Sequence, residues 1–315
     1  MIRMRYTTRI ALAVLAAAAP GAAAQGGRTA AIVLELPSST RALALGGAYV
    51  AAGADDAALF YNASQLATIE GRAASMSLQP YIEGSTLGAI SGAFRLGPGT
   101  VGIGVQVLSY GSTDEYVCDE TTQCERGELT GRTVSANEIA GSIGYGVTWR
   151  TVRLGAAAKY VRQSLADASG GAPALDIGAA IDVWRGATIG ASVQNLGPEL
   201  KTAGSSAALP RFLRLGASLP WRGVGPFDLL GTLEVAQHRE GDMLPLGGAE
   251  VTWTSVNGLA FSARVGALAQ SEAAATSRVS LGAGVRARSF ALDYAYQSFD
   301  ALAVSTHRFG LRWWR

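Results

Sequence analysis

The chain has 315 residues, of which 49% are apolar and 16% charged, with 40 glycines and a formal net charge of +2. That length allows one large β domain or two ordinary domains. The near-neutral balance makes no electrostatic case for nucleic acid. The chain is too apolar and glycine-rich for a typical soluble enzyme, and its apolar residues are too evenly spread for a helical membrane protein.

Residues 1–24 read as a secretory signal. Arg3, Arg5 and Arg9 form a basic front, and Ile10 to Ala19 an apolar core too short to span a bilayer. Pro20-Gly21 breaks it, and Ala22-Ala23-Ala24 before Gln25 supplies a small-x-small cleavage site. No later run reaches the roughly 18 apolar residues of a spanning helix. An exported chain of this kind is a secreted β protein or a membrane β-barrel.

Residues 25–72 do not alternate and are expected to form a hatch or plug within such a barrel. Gln25 to Ser39 reads as a leader. Ser38, Ser39 and Thr40 are candidate caps for a short helix beginning near Arg41, weakened by Gly46-Gly47. A second helical turn is expected from Asp56 to Tyr61, with Asp55 as its cap and Asn62 at its end.

From Ala74 the period becomes two. Val101, Ile103, Val105 and Val107 alternate with Gly102, Gly104 and Gln106, and Ala187, Ile189, Ala191 and Val193 alternate with Thr188, Gly190 and Ser192. Such runs predict about fourteen half-buried strands at 73–81, 86–95, 100–109, 137–149, 153–162, 174–184, 187–195, 211–220, 227–237, 245–253, 259–267, 277–286, 290–297 and 305–314. Most reach the roughly 9–11 residues of a tilted spanning strand. Their connections alternate in kind. Gly97-Pro98-Gly99, Arg150-Thr151-Val152, Arg185-Gly186 and Asn257-Gly258 are tight, whereas 110–136, 163–173, 196–210, 238–244, 268–276 and 298–304 read as mostly longer, polar external loops. The expected fold is an all-β transmembrane antiparallel barrel over residues 73–315, with short turns on the periplasmic side of an outer membrane.

The alternation also assigns the two faces. The apolar face should meet outer-membrane lipid. The lumen should hold Arg153, Lys159, Asp176, Asp182, Arg214, Glu234, Glu250, Arg264, Arg286, Asp293, Arg308 and Arg312, where charges of both signs can pair. Frequent inward glycines leave room for an inserted plug. Trp149, Trp184, Trp221, Trp253 and Trp313 fall at strand ends, as an interfacial girdle would. His307 to Arg315 resembles the sorting signal of a barrel's last strand, with Arg315 added after the aromatics.

The stretch Arg41-Ala42-Leu43-Ala44-Leu45-Gly46-Gly47-Ala48, then Asp55-Asp56-Ala57-Ala58, Phe60-Tyr61 and Asn62-Ala63-Ser64-Gln65-Leu66, resembles the opening of the FadL-like outer-membrane family, and within it the PorV/PorQ group. Asn195-Leu196-Gly197 resembles the family's strand-end motif. The proline that the family places after the hatch asparagine is Ala63 here. The sequon Asn62-Ala63-Ser64 is read as a chance match in a bacterial-type export context. The resemblance implies a fourteen-stranded barrel with an N-terminal hatch, and passive uptake of hydrophobic small molecules. Leu45, Val50, Leu59, Phe60 and Tyr61 are the expected ligand or hatch residues, with Asp55, Asp56 and Asn62 fixed by hydrogen bonds to lumen arginines. The alternative it implies is a type IX secretion component that holds secreted protein cargo through its external loops.

Cys118 and Cys124 lie in the longest predicted loop and are expected to form a disulfide. Closing so short a loop contributes about 2.4 kcal/mol in the chain-entropy model. Asp119, Glu120 and Glu125 stand beside them, but two cysteines without histidine are too few for structural zinc, and no metal or cofactor is expected. His238 and His307 are the only histidines, no nucleotide or metalloprotease motif is present, and no enzyme is expected.

Overall fold

The computed structural model describes residues 29–80, 84–118, 127–202, 205–239, 241, 243–268, 278–299 and 304–315. The expected signal at 1–24 and the expected Cys118–Cys124 bridge lie outside the described residues. The barrel strands are β1 (Arg72–Pro80), β2 (Thr86–Leu96), β3 (Gly99–Cys118), β4 (Gly127–Trp149), β5 (Val152–Leu165), β6 (Ala168–Asp182) and β7 (Thr188–Leu196). They continue as β8 (Phe212–Val224), β9 (Phe227–His238), β10 (Met243–Thr254), β11 (Leu259–Leu268), β12 (Val279–Ala287), β13 (Phe290–Phe299) and β14 (Val304–Trp314). Each pairs antiparallel with the next, β5 with β6 included, and β14 returns to β1 in the register Ala73↔Trp314 to Leu78↔Phe309. The fourteen-strand sheet is therefore closed, and no spanning edge is left unpaired. Among the described residues no helix is long and apolar enough to cross a membrane.

The polarity of the wall is the reverse of a soluble protein's. Ile90 is 62% exposed and Leu233 73%, on the outer face, while Arg308 is 0% and Glu234 3% exposed, on the inner. Water would place these groups the other way round, and a bilayer explains the order seen. Trp149, Trp184, Trp221 and Trp253 are exposed at the tight-turn rim, as a girdle requires.

The structure differs from the sequence reading in three places, one being 196–210, read as loop, which holds the short paired strands Leu200–Thr202 and Ser205–Ala207. Residues 110–118 and 127–136 are not loop but the continuation of β3 and β4 as a ribbon, in register as far as Cys118↔Gly127. The segment 163–173 is a hairpin whose turn is Ala166-Asp167. Both lie beyond the stretch where one face meets lipid. There both faces meet water, and nothing makes the side chains alternate.

Residues 29–71 occupy the lumen. Helix α1 (Thr40–Ala44) is capped by Ser39, whose hydroxyl accepts from Ala42 N at 3.4 Å. It ends on Gly46 and Gly47, both left-handed, with Gly46 N donating to Leu43 O at 3.1 Å and Gly47 N to Ala42 O at 2.9 Å. Two 3-10 turns follow, Asp56–Phe60 and Ala63–Thr68. Asp55 stands at the first but makes no side-chain cap bond. Asn62 begins the second turn rather than only ending the first, and Ala63 holds its first position, where proline is favoured. The leader is part of this body too, since Ala31 and Val33 are fully buried among wall side chains.

The inward glycines are where the plug touches the wall. A Cβ on Gly266 would lie 1.9 Å from Gly46 N, one on Gly178 2.0 Å from Asn62 Oδ1, and one on Gly155 2.3 Å from Ser64 N. Leu45, Val50 and Leu59, all fully buried, lie against Gly248, Gly190 and Gly144 in the same way. At Gly266, Gly155, Gly248 and Gly190 plug main chain packs directly on wall main chain, and at Gly178 and Gly144 a plug side chain fills the space of the missing Cβ, as only a glycine wall permits.

Candidate functional site: a luminal plug between two cavities

The plug stands between two cavities, whose levels can be read along the strands. Leu246 of β10, Ser280 of β12 and Gln297 of β13 line the cavity on the loop side. Glu250, Gly284 and Asp293 of the same three strands line the cavity on the tight-turn side. Helix α1 lies between them, with Leu43 facing the first cavity and Arg41 the second.

The loop-side cavity is about 430 Å³. Leu34, Leu36, Leu43, Phe60, Phe212, Leu246 and Leu268 give its apolar lining, and Glu35, Gln79, Gln194, Arg214, His238, Arg278 and Gln297 add polar and charged groups. That is the composition of a small-molecule pocket. Of the residues expected to touch a ligand, Phe60 and Tyr61 line this cavity. Leu45, Val50 and Leu59 do not, being spent on the glycine contacts. Tyr61 also accepts from Ser38 N at 3.0 Å and Ser39 N at 3.3 Å, tying the start of α1 to the second half of the plug.

The tight-turn-side cavity, about 600 Å³, is charged. Arg41 of the plug grips Glu250 with two bonds, Nε to Oε2 at 2.9 Å and Nη2 to Oε1 at 3.0 Å. Glu250 also accepts from Arg264 at 2.5 Å. Arg264 donates in turn to Asp293 at 2.7 Å, and Asp293 accepts from Arg312 at 2.5 Å. Arg312 closes the circuit on the plug's Asp55 at 3.6 Å, and Tyr49 donates to Asp55 at 2.5 Å. Three guanidinium groups thus balance three carboxylates, and no charge is left to face the bilayer.

Further wall charges hold the plug one at a time. Glu234 accepts from both Tyr49 N and Val50 N at 2.8 Å while Arg214 donates to it at 2.6 Å. Glu138, fully buried and absent from the sequence-based set, accepts from Val33 N at 2.7 Å. Arg308 donates to Pro37 O and, at 2.9 Å, to Ser77. Lys159 pairs with Asp176 at 2.6 Å and donates to Asn195 Oδ1 at 3.0 Å, so the Asn195 motif braces a strand end. Arg153 pairs with Asp182 at 2.7 Å, and Asp182 and Arg286 sit at the water-exposed rim.

Only one of the three expected arginine contacts of the plug is present. Asp55 forms ion pairs with the wall's Arg312 at 3.6 Å and the plug's own Arg41 at 3.9 Å, while among the described residues Asp56 and Asn62 meet no arginine. The 3-10 turn aims Asp56 at β1 and β2, where Ser75 and Ser91 donate to it at 2.7 and 2.6 Å. Asn62 spends its amide on the main chain, donating to Val50 O at 2.9 Å and Ala179 O at 3.2 Å, while its oxygen accepts from Ser64 N at 3.1 Å.

Burial first, and the Asp55 charge second, raise the Asp56 carboxyl to about 6 against the lowering by the two serine hydroxyls. The folded state therefore binds this proton more tightly than the unfolded chain does. Its stabilisation is fully present below the ordinary carboxylate value near 4 and is lost as pH rises through 6. Asp56→Asn keeps an acceptor for both serines without the charge. The variant's free energy of unfolding by urea in lipid vesicles is expected to match wild type at pH 4 and to exceed it at pH 7.5, by about 2 kcal/mol. Equal differences at the two pH values would contradict this reading.

No family model matches the chain, nor does any curated protein. Solved structures do. The toluene transporter TbuX of Ralstonia pickettii aligns with TM-score 0.56 and 14% identity over 89% of this chain and 98% of its own. The toluene transporter TodX of Pseudomonas putida aligns with TM-score 0.55 and 12% identity over 88% and 97%. A FadL homologue of Pseudomonas aeruginosa aligns with TM-score 0.52 and 12% identity over 87% and 97%. At these identities the likeness is one of fold alone.

Proposed function

We propose that this chain is a passive outer-membrane channel for hydrophobic small molecules, and that it belongs with the FadL-like barrels. The observation that carries the reading is the apolar cavity of about 430 Å³ on the loop side of the plug. It suits a solute of modest size, held by burial and oriented by few polar groups. The shared fold adds weight, since the aligned transporters carry toluene. A second apolar depression crosses the outer face of β2 to β5, floored by Gly92 and Gly141, and inward-turned Ser142 and Lys159 line it as well.

Leu268→Arg tests this, because Leu268 is half-buried at the cavity mouth and its replacement can fold. Uptake of a panel of monoaromatic and alkyl solutes into cells is expected to rise with the wild-type chain. The variant is expected to lose about tenfold of that rise, the equivalent of about 1.4 kcal/mol. No solute taken up faster than in cells lacking the chain would sink the proposal.

One observation favours the secretion reading. The β3–β4 ribbon stands beyond the barrel and exposes Tyr116, Val117 and Leu129. Capture of secreted proteins bearing a C-terminal sorting domain by the wild-type chain, and loss of capture on deleting residues 112–134, would support a PorV/PorQ-like role.

A further inference from the structure

The tight-turn rim carries a pattern that transport does not require. Arg95, Arg150, Arg185, Arg222 and Arg288 lie at five of its six turns, and Arg72 and Arg315 stand where β1 and β14 meet; Arg72, Arg222 and Arg315 also border the charged luminal cavity. All are exposed, and among the described residues none makes an ion pair. The rim acids are few. Asp182 is held by Arg153, Asp228 accepts from Gly223 N, and Glu70 alone stands outside such contacts.

Two features separate this ring from ordinary solvated charge. Arg150, Arg185 and Arg288 adopt φ of 58°, 57° and 50°. These are left-handed turn positions, where glycine or asparagine is more comfortable than a long side chain. Arginine occupies these positions at a conformational cost. The second feature is the neighbour. Trp149, Trp184 and Trp221, all exposed, directly precede Arg150, Arg185 and Arg222, and the guanidinium of Arg185 lies 4.4 Å from the Trp184 ring centre, that of Arg150 5.5 Å from Trp149. An indole exposed at the end of an apolar belt settles at the head-group level of a bilayer. The paired guanidinium is then held at the depth of the phosphates.

We infer that the tight-turn rim is a ring of binding sites for the phosphate head groups of anionic phospholipid in the leaflet it borders. The like charges of the ring repel one another and lack acidic partners. A phosphate layer at that depth neutralises them, and guanidinium binds phosphate with two parallel bonds. The tryptophans select this lipid source over a soluble polyanion, because they keep the arginines within the interface.

The test is the quadruple variant Arg150→Asn, Arg185→Asn, Arg222→Gln and Arg288→Asn. Asparagine suits the left-handed positions, so the barrel is expected to fold in phosphatidylcholine vesicles at least as well as wild type. Full-length mature chain is folded in vesicles of phosphatidylcholine, alone or with 30% phosphatidylglycerol. Retained lipid is counted by native mass spectrometry after gentle extraction. Wild type is expected to retain phosphatidylglycerol in excess over its share of the vesicle, and the variant to lose that excess by about fivefold or more, near the factor for one surface arginine. Equal retention by the two proteins, or wild-type retention in proportion to the mixture, overturns the inference. So does arginine-dependent co-sedimentation with peptidoglycan sacculi in the absence of any lipid preference, which assigns the ring to a cell-wall polymer. None of these outcomes depends on solute uptake.

Discussion

Gly266→Val is expected to open the barrel. A Cβ at this position would fall 1.9 Å from Gly46 N and 2.4 Å from the Leu45 carbonyl carbon, so a valine cannot be met by rotating a side chain. Either β11 bends outward or the α1 end of the plug leaves its seat. The wall is tied into a closed sheet on both sides of Gly266, by Gly248 and Ser280, whereas Leu45, Gly46 and Gly47 of the plug belong to no sheet. The plug gives way. Gly46 cannot accommodate the shift locally, since its own left-handed turn ends α1. In planar bilayers the variant is expected to raise ion conductance at least about tenfold over wild type. Partial clipping of residues 29–71 by added protease should accompany it. Gly88→Val, on the outward face of β2, is the control and should leave conductance unchanged. Wild-type conductance and a protected plug in Gly266→Val would mean that the glycine seats do not hold the plug in place.

The second large effect is expected at Glu250. Removing its carboxylate by Glu250→Ala leaves Arg41 and Arg264 facing each other in a buried site, with Asp55 and Asp293 as their remaining partners. Breaking one member of a buried charge set costs about 3–5 kcal/mol, because the orphaned cation keeps its desolvation penalty. Urea unfolding in vesicles is expected to show that loss. Arg41→Met added to Glu250→Ala removes one of the two stranded cations and should return at least about half of it. A double variant no more stable than Glu250→Ala would show that the network is not coupled as its geometry requires.

The sequence carries the wall more clearly than the contents of the lumen. A spanning strand meets lipid on every second residue, so the alternation of Val101, Ile103, Val105 and Val107 marks a strand. All fourteen predicted spans coincide with strands to within a few residues over their membrane portions. Where Tyr110 to Cys118 leave the bilayer, the signal stops and the strand does not. The inward glycines were readable as room for a plug, but which glycine meets which plug residue is decided by closure of the sheet. The charges show the same limit. Arg41 and Glu250 are separated by 209 positions, and nothing local links them. Glu138 follows Asn137 at the start of a predicted strand and resembles a polar strand end. Val33 sits in an apolar triplet without periodicity, so the leader gives no sign of being buried.

The N-terminal plug makes many of its closest contacts with strands from the C-terminal half, through Glu234, Glu250, Gly266, Gly282 and Arg312. The seam between β1 and β14 joins those same two ends. A ring completed while empty would leave its stopper outside, tethered by a link that has no slack before Arg72. Seating the stopper and zipping the seam must therefore be concurrent, and the two ends of the polypeptide have to find each other before assembly can finish. Contacts of such long range make for slow maturation.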